Sequence, residues 1–463
     1  MKLLFLAMFS NIGFSLQCDY SDTQFREQKV DHFGKSMKTF KQQYQIIDDF
    51  YKSGGPILFY QGAENDRISC LSDYSLAHYA NETGGLLVQI EHRYFGDSLP
   101  FGPINSTLTY NWDYLTLNNV MMDSVEFVQF IKKNSTFTNA KTIVFGGSYG
   151  GYLATMLRLN HGGIFDGAVA TGFPLYLNGA DFPNNTYNDV NNVIQDMSKT
   201  AADRINGTFS ELLKYYTSGR THELTTKLNL CTEPRNATDI AILSTIFASG
   251  LQRLSQFNFP MAAVANVSFP IQYIVNQTLH SSDPLAALVA FTPIYAKSVN
   301  MAQLNCFDWA AGGSAGVGGA GGVQEGPYFH MVCTYFPISM DNTPENTIFP
   351  AENASQYACG TMFGPGKTKM LTQVVLEQEY NYSLEKISNL TNFIGLWGQY
   401  DPLTALFPYD FPLKSSRRAA RKIFVSGMAH TGDMIAQSPL DPDALIQARS
   451  TIVQYIKDWS ALS

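Results

Sequence analysis

The sequence predicts an α/β protein: a largely parallel sheet interrupted by a large, mostly helical insertion. Three observations carry this expectation. Short apolar runs bounded by glycine alternate with helical patterns as far as Gly172. The same alternation returns near residue 381 and runs to the end of the chain. Between them, from about Leu175 to Tyr380, the text is helical and polar, rich in Asn and Thr. Strand–helix alternation on both sides of such a segment is the pattern of one sheet that accepts an inserted domain.

At the N-terminus, MKLLFLAMFSNIGFS combines a basic Lys2, an apolar run and a small residue at Ser15. This predicts a signal peptide over residues 1–16, cleaved in a secretory compartment. The predicted strands follow in order. They are PILFY (Pro56 to Tyr60), LLVQIEH (Leu86 to His92), TIVFG (Thr142 to Gly146) and GAVATG (Gly167 to Gly172). FIGLWG (Phe393 to Gly398) and KIFVSG (Lys422 to Gly427) complete the set. Helical patterns lie at VMMDSVEFVQFIKK from Val120 and at ALIQARSTIVQYIKDW near the C-terminus. The expected division is residues 17–174 with 381–463 for the sheet domain, and residues 175–380 for the helical cap.

Composition bounds the function. The chain has 463 residues, 45% of them apolar, and a net charge of −8, which argues against a nucleic-acid ligand. No run is long and apolar enough to predict a membrane span. Eleven Asn-x-Ser/Thr sequons, at Asn81, Asn105, Asn134, Asn184, Asn206, Asn236, Asn266, Asn276, Asn353, Asn381 and Asn389, agree with secretion. The six cysteines (Cys18, Cys70, Cys231, Cys306, Cys333 and Cys359) form no Cys-x-x-Cys, so disulfides are expected rather than a metal site. Their connectivity is open, but four of the six lie between 231 and 359, which predicts local stapling there. No cofactor is expected.

The pattern Gly-x-Ser-x-Gly occurs twice. At Ser148 it follows the strand TIVF and precedes an apolar helical run, YLATMLRL, with Gly146 and Gly150 at the crowded positions. That context is a nucleophile elbow. At Ser314, in GGSAG, there is glycine on both sides and no flanking element, so a flexible loop is expected over Gly312 to Gly322. A serine needs a base to take its proton and an acid to orient that base. In the α/β-hydrolase fold these follow in the order Ser, acid, His. Asp401 stands just beyond the FIGLWG strand and His430 just beyond KIFVSG. Asp433 is a rival acid, but it lies three residues from His430 and reads as structural. The oxyanion hole is expected from the backbone N–H of Tyr149 and from Gly62 or Ala63, in the loop YQGAEN.

These residues carry a resemblance. The chain is similar to the serine peptidase family of lysosomal prolyl carboxypeptidase, dipeptidyl peptidase II and thymus-specific serine protease. The matching blocks are FREQKVDHF, GGPILFYQGAEND, EHRYFGDSLPFG, YLTLNNVMMD, GGSYGGYLATMLR, YDP and AHTGD with the later DPDALIQAR. The resemblance implies a triad of Ser148, Asp401 and His430, the residues that spacing also selects. It implies an α/β-hydrolase fold with a helical cap that restricts access to chain ends. The implied function is a secreted or lysosomal exopeptidase that cleaves short peptides next to proline. Three departures bear on specificity. Leu403 stands where the family commonly has tryptophan, and Tyr152 where it often has methionine; both positions are associated with the proline pocket. The insertion's Cys-Thr-Glu block reads Cys333-Thr334-Tyr335 here. Which chain end is cut stays open, since Glu64 is placed either to hold a substrate ammonium or to brace the oxyanion loop. Peptides are the expected partners, with a homodimer left open. A secreted esterase or lipase on the same fold, and a non-catalytic binding module, are the alternatives.

Overall fold

The computed structural model describes residues 23–62, 64, 68–106, 109–173, 186–261, 267–299, 305–310, 325–335, 371–406 and 421–461. The expected signal peptide lies outside them.

The sheet has eight strands: β1 (Thr23–Lys29), β2 (Thr39–Ile47), β3 (Ile57–Gln61), β4 (Leu86–Ile90), β5 (Thr142–Gly147), β6 (Gly167–Thr171), β7 (Phe393–Gly398) and β8 (Arg421–Val425). Their order is β1-β2-β4-β3-β5-β6-β7-β8. The β1–β2 and β2–β4 pairs are antiparallel, and every pair from β4 to β8 is parallel. One row of paired residues crosses the centre: Phe59, Val144, Ala168 and Phe393. This is the strand order and hand of pairing of an α/β-hydrolase sheet. The six strands read from apolar runs are all present. The β1–β2 hairpin was not read as strand. Its polar texture, TQFREQK against TFKQQYQII, reflects an edge that needs a core on only part of its surface.

The labelled helices are α1 (Ser75–Thr83), α2 (Leu117–Lys132), α3 (Tyr149–Asn160), α4 (Thr186–Met197), α5 (Lys199–Thr217), α6 (Ala237–Gln256), α7 (Pro270–His280), α8 (Ala286–Ser298) and α9 (Asp443–Ser460). The central strands bury both faces, which is why they lack a polar alternation. Ile57, Phe59, Val144 and Ala168 pack with Val125, Leu153 and Leu157 of α2 and α3. Their neighbours Leu58, Ile143, Phe145 and Val169 face the other way, onto Tyr79 of α1 and Ile452, Ile456 and Trp459 of α9. The two helical layers thus follow directly from the period of two in the strands.

Helices α4 to α8 enclose a separate core of Ile194, Ile205, Leu212, Phe247, Leu251, Ile274 and Phe291. A disulfide joins Cys231 to Cys306 across 75 residues of this segment, in keeping with the local stapling expected there. Cys70 and Cys333 are also disulfide-bonded. Helix α4 packs on the turn at Pro402–Leu406, directly after β7, so the insertion touches the sheet where the site lies. Of the sequons in described segments, Asn81, Asn134, Asn206, Asn236, Asn276 and Asn389 are exposed. Among the described residues no helix is long and apolar enough to cross a membrane.

Candidate active site

β5 ends at Gly147 and α3 begins at Tyr149, so Ser148 alone makes the turn. Its backbone has φ 56° and ψ −126°, a conformation that side-chain-bearing residues rarely adopt. Such strain costs about 1–3 kcal/mol and persists only where its surroundings enforce it. Part of that enforcement is visible. The Ser148 N–H donates to the Thr171 carbonyl at 2.8 Å, tying the elbow to β6. A Cβ on Gly146 would lie 2.0 Å from the Gly150 carbonyl oxygen, so only glycine fits two residues before the serine.

Asp401 and His430 are brought together although 29 residues separate them. His430 Nδ1 and Asp401 Oδ2 are 2.7 Å apart, and both side chains are buried. A carboxylate can only accept here, so Nδ1 carries the proton and Nε2 is left as the basic nitrogen. The other carboxylate oxygen, Oδ1, accepts the Leu403 N–H at 3.0 Å. The His430 N–H donates to the Gln256 carbonyl at the end of α6, 3.0 Å away, so the insertion itself holds the histidine backbone. Gly172 sits beneath the pair at φ +56°. A Cβ there would lie 2.8 Å from His430 Nδ1 and 2.9 Å from Asp401 Oδ2. On the other side, a Cβ on Gly147 would meet Thr431 at 2.8 Å. The residue before Ser148 therefore touches the residue after His430. All three residues follow the C-terminal ends of parallel strands, β5, β7 and β8, on the rim where an open α/β sheet places its ligands.

The loop after His430 is fixed from below. Arg449 of α9 donates to the carbonyls of Gly432 (2.7 Å), Ile435 (3.1 Å) and Asp433 (3.3 Å) and pairs with Asp441 at 2.5 Å. Asp433 accepts the Thr171 hydroxyl at 2.9 Å, and burial pushes its carboxyl up to about 6. The two acids are therefore divided in their partners: Asp401 takes the imidazole and Asp433 takes Thr171.

Gly62 directly follows β3, and a Cβ on it would lie 2.8 Å from the Ile90 carbonyl. Gln61 accepts the Ser124 hydroxyl at 2.6 Å and donates to the Gly62 carbonyl at 3.0 Å, which steadies this loop. Ala63 lies outside the described residues. Glu64 is buried, and desolvation pushes its carboxyl up to about 7. Its Oε2 has no hydrogen-bond partner among the described residues. Tyr149 opens α3, and its hydroxyl lies 3.0 Å from His92 Nε2. Because His92 Nδ1 faces the Arg93 carbonyl at 2.7 Å, the ring proton sits on Nδ1 and the Tyr149 hydroxyl donates to Nε2. Burial holds the His92 pKa down to about 4, so the ring stays neutral in this role. His92 lies in the EHRYFGDSLPFG block, which is the only sequence signal that points to it.

The two residues at positions associated with the proline pocket are both buried. Tyr152 is 1% exposed and packs edge-on against Tyr382, with ring centroids 4.7 Å apart. Leu403 is also 1% exposed, and its backbone serves Asp401. Ser314 and the loop Gly312 to Gly322 lie outside the described residues.

The chain is similar along most of its length to known proteins. A family described as serine carboxypeptidase S28 matches residues 28–452. A lysosomal Pro-X carboxypeptidase from Bos taurus is 26% identical over 455 residues, covering 94% of this chain and 87% of the relative. The protein of the same name from Homo sapiens is 26% identical, covering 95% and 88%. That from Mus musculus is 27% identical, covering 94% and 88%. With a match spanning nearly the whole sequence, this chain belongs to the serine carboxypeptidase S28 family.

Proposed function

We propose that the protein removes the C-terminal residue of short peptides, next to proline, through an acyl-enzyme formed on Ser148. The observation that carries this reading is the 2.7 Å pair of His430 and Asp401 beside a strained serine on a strand–helix elbow. The direction of cutting and the proline preference are drawn from relatives named Pro-X carboxypeptidases.

In the proposed mechanism His430 Nε2 takes the Ser148 proton as Oγ attacks the scissile carbonyl. The Asp401 carboxylate steadies the imidazolium that forms. The N–H of Tyr149 and an N–H of the Gly62–Ala63 loop meet the oxyanion. His430 then gives the proton to the leaving amine. Water, activated by the same ring, releases the acyl group. Glu64, next to that loop, serves to brace it. The buried positions of Tyr152 and Leu403 support an indirect part in specificity, through what packs over them. The division into a sheet domain (17–174 and 381–463) and a cap (175–380), and residence in a secretory or lysosome-like compartment after loss of residues 1–16, belong to the same reading.

A peptide library with product masses read from both ends tests it. Single residues lost from the C-terminus, after proline, are expected, together with labelling of Ser148 by a fluorophosphonate. Dipeptides lost from the N-terminus, or turnover of short acyl esters only, would overturn it.

A further inference from the structure

Among the described residues three arginines are buried: Arg93, Arg253 and Arg449. Two of them are saturated. Arg93 pairs with Asp123 through two nitrogens, at 2.6 and 2.7 Å, and donates to the carbonyls of Val30, Tyr114 and Lys29. Arg449 pairs with Asp441 and holds three carbonyls. Arg253, only 5% exposed, has one neutral acceptor, the Ser298 carbonyl at 2.8 Å from Nη2. Its Nε and Nη1 have no hydrogen-bond partner among the described residues. Its guanidinium lies 5.0 Å from the centre of the Phe257 ring, and no carboxylate among the described residues bears on it. A buried charge without a counter-ion is expensive, and proteins rarely keep one without a use.

Its location suggests the use. Arg253 lies in the last turn of α6, three residues and about 4.5 Å of helix rise before Gln256. The Gln256 carbonyl holds the His430 N–H. The same helix end carries more unmet donors: Gln256 Nε2 and Asn258 Nδ2 are buried without partners among the described residues. The Asn258 amide cannot be turned round, because its Oδ1 accepts the Ile271 N–H at 3.0 Å. The orphan atoms of Arg253 and Asn258 are donors, which an acceptor would satisfy, and beside a guanidinium the fitting acceptor is an anion.

The chemistry of acyl transfer fixes where an anion would arrive. The histidine that protonates the leaving amine must be within hydrogen-bond reach of it. In a peptide cut at its last bond, the terminal carboxylate is only two bonds from that amine. It therefore lies on the His430 side of the site, the side that the Gln256 carbonyl at the end of α6 also reaches. We propose that Arg253, aided by Gln256 Nε2 and Asn258 Nδ2, is the receptor for the substrate's terminal carboxylate. This rests on the reading of Ser148 and His430 as the reacting pair, and it gives that reading its preference for the C-terminal end.

The test compares an N-blocked tripeptide ending in Pro-Phe, as the free acid, with its C-terminal amide. The wild-type enzyme should prefer the acid. Arg253→Met, which replaces the charge by an apolar chain of similar length, should lower kcat/KM on the acid roughly 10- to 100-fold and bring the acid-to-amide ratio near one. Arg253→Lys should fall between. A ratio unchanged in Arg253→Met overturns the proposal. So does a wild-type enzyme indifferent to acid and amide while Ser148 still labels with a fluorophosphonate; the catalytic reading then survives alone. Failure of wild-type Ser148 to label would instead sink the catalytic reading. Binding is read separately in Ser148→Ala: the acid, not the amide, should raise Tm, and added Arg253→Met should abolish the rise. An equal rise in both proteins overturns the receptor.

Discussion

Replacing Gly172 by alanine tests whether the acid–base pair depends on its contact with the β6 backbone. Two costs can be separated. The first is backbone strain: alanine at φ +56° costs about 1–2 kcal/mol relative to glycine. The second is steric. The new methyl would stand 2.8 Å from His430 Nδ1, 2.9 Å from Asp401 Oδ2 and 3.0 Å from His430 Cε1. Ordinary contact needs about 3.5 Å, so the ring and the carboxylate must retreat by roughly half an ångström or more. The His430–Asp401 hydrogen bond and the aim of Nε2 would both be spoiled. Misplacement of this size costs on the order of 10²-fold in rate. Gly219→Ala supplies the control, since its φ is +69° and a Cβ there meets nothing within 4 Å. Both variants should lose comparable stability in urea melts, and only Gly172→Ala should lose kcat/KM and the rate of fluorophosphonate labelling. Gly172→Ala with wild-type kinetics would refute the reasoning, because the pair could then not be where these distances put it.

Further outcomes follow from the same geometry. Ser148→Ala should fold, be secreted and be inert, while Ser148→Gly, freed of the strain at φ 56°, should raise the unfolding free energy from urea melts by about 1 kcal/mol or more; a lower value would contradict the strain. Asp433 titrates near 6 when folded and near 3.9 when unfolded, so between those values the native state holds a proton that the unfolded chain has lost, and stability falls as pH rises through that window. Asp433→Asn removes this loss, so its Tm relative to the parent should improve from pH 4 to pH 7; a pH-independent difference would exclude the effect. Replacing both Cys231 and Cys306 by alanine releases a loop of 75 residues and should cost about 4 kcal/mol, seen as an earlier calorimetric transition. An unchanged Tm would show that the insertion does not use that cross-link.

The parallel strands were legible because burial on both faces leaves an unbroken apolar run that few other contexts produce. β7 was read to the residue from FIGLWG, and the elbow from the requirement for Gly146 and Gly150. The β1–β2 hairpin was not legible, since an edge pair made of Gln, Lys and Arg resembles a surface loop until its register is seen. Asp401 and His430 could be named because each follows a strand. The carbonyl of Gln256 and the N–H of Leu403 could not, because a backbone group leaves no mark in residue identity. Tyr152 was assigned to a pocket by position alone, whereas its environment is set by Tyr382, 230 residues further along the chain. Arg253 was invisible for a similar reason: nothing in LQRLSQ distinguishes a stranded charge from a solvated one.

The carbonyl of Gln256 that holds the His430 N–H makes the inserted helices part of the machinery rather than a roof above it. Any movement of that helix end away from the sheet would pull on the His430 backbone and disturb the aim of its imidazole. A truncated protein lacking the insertion would be a scaffold without a working proton acceptor, so this insertion could be reshaped by evolution only while that single bolt stayed in place.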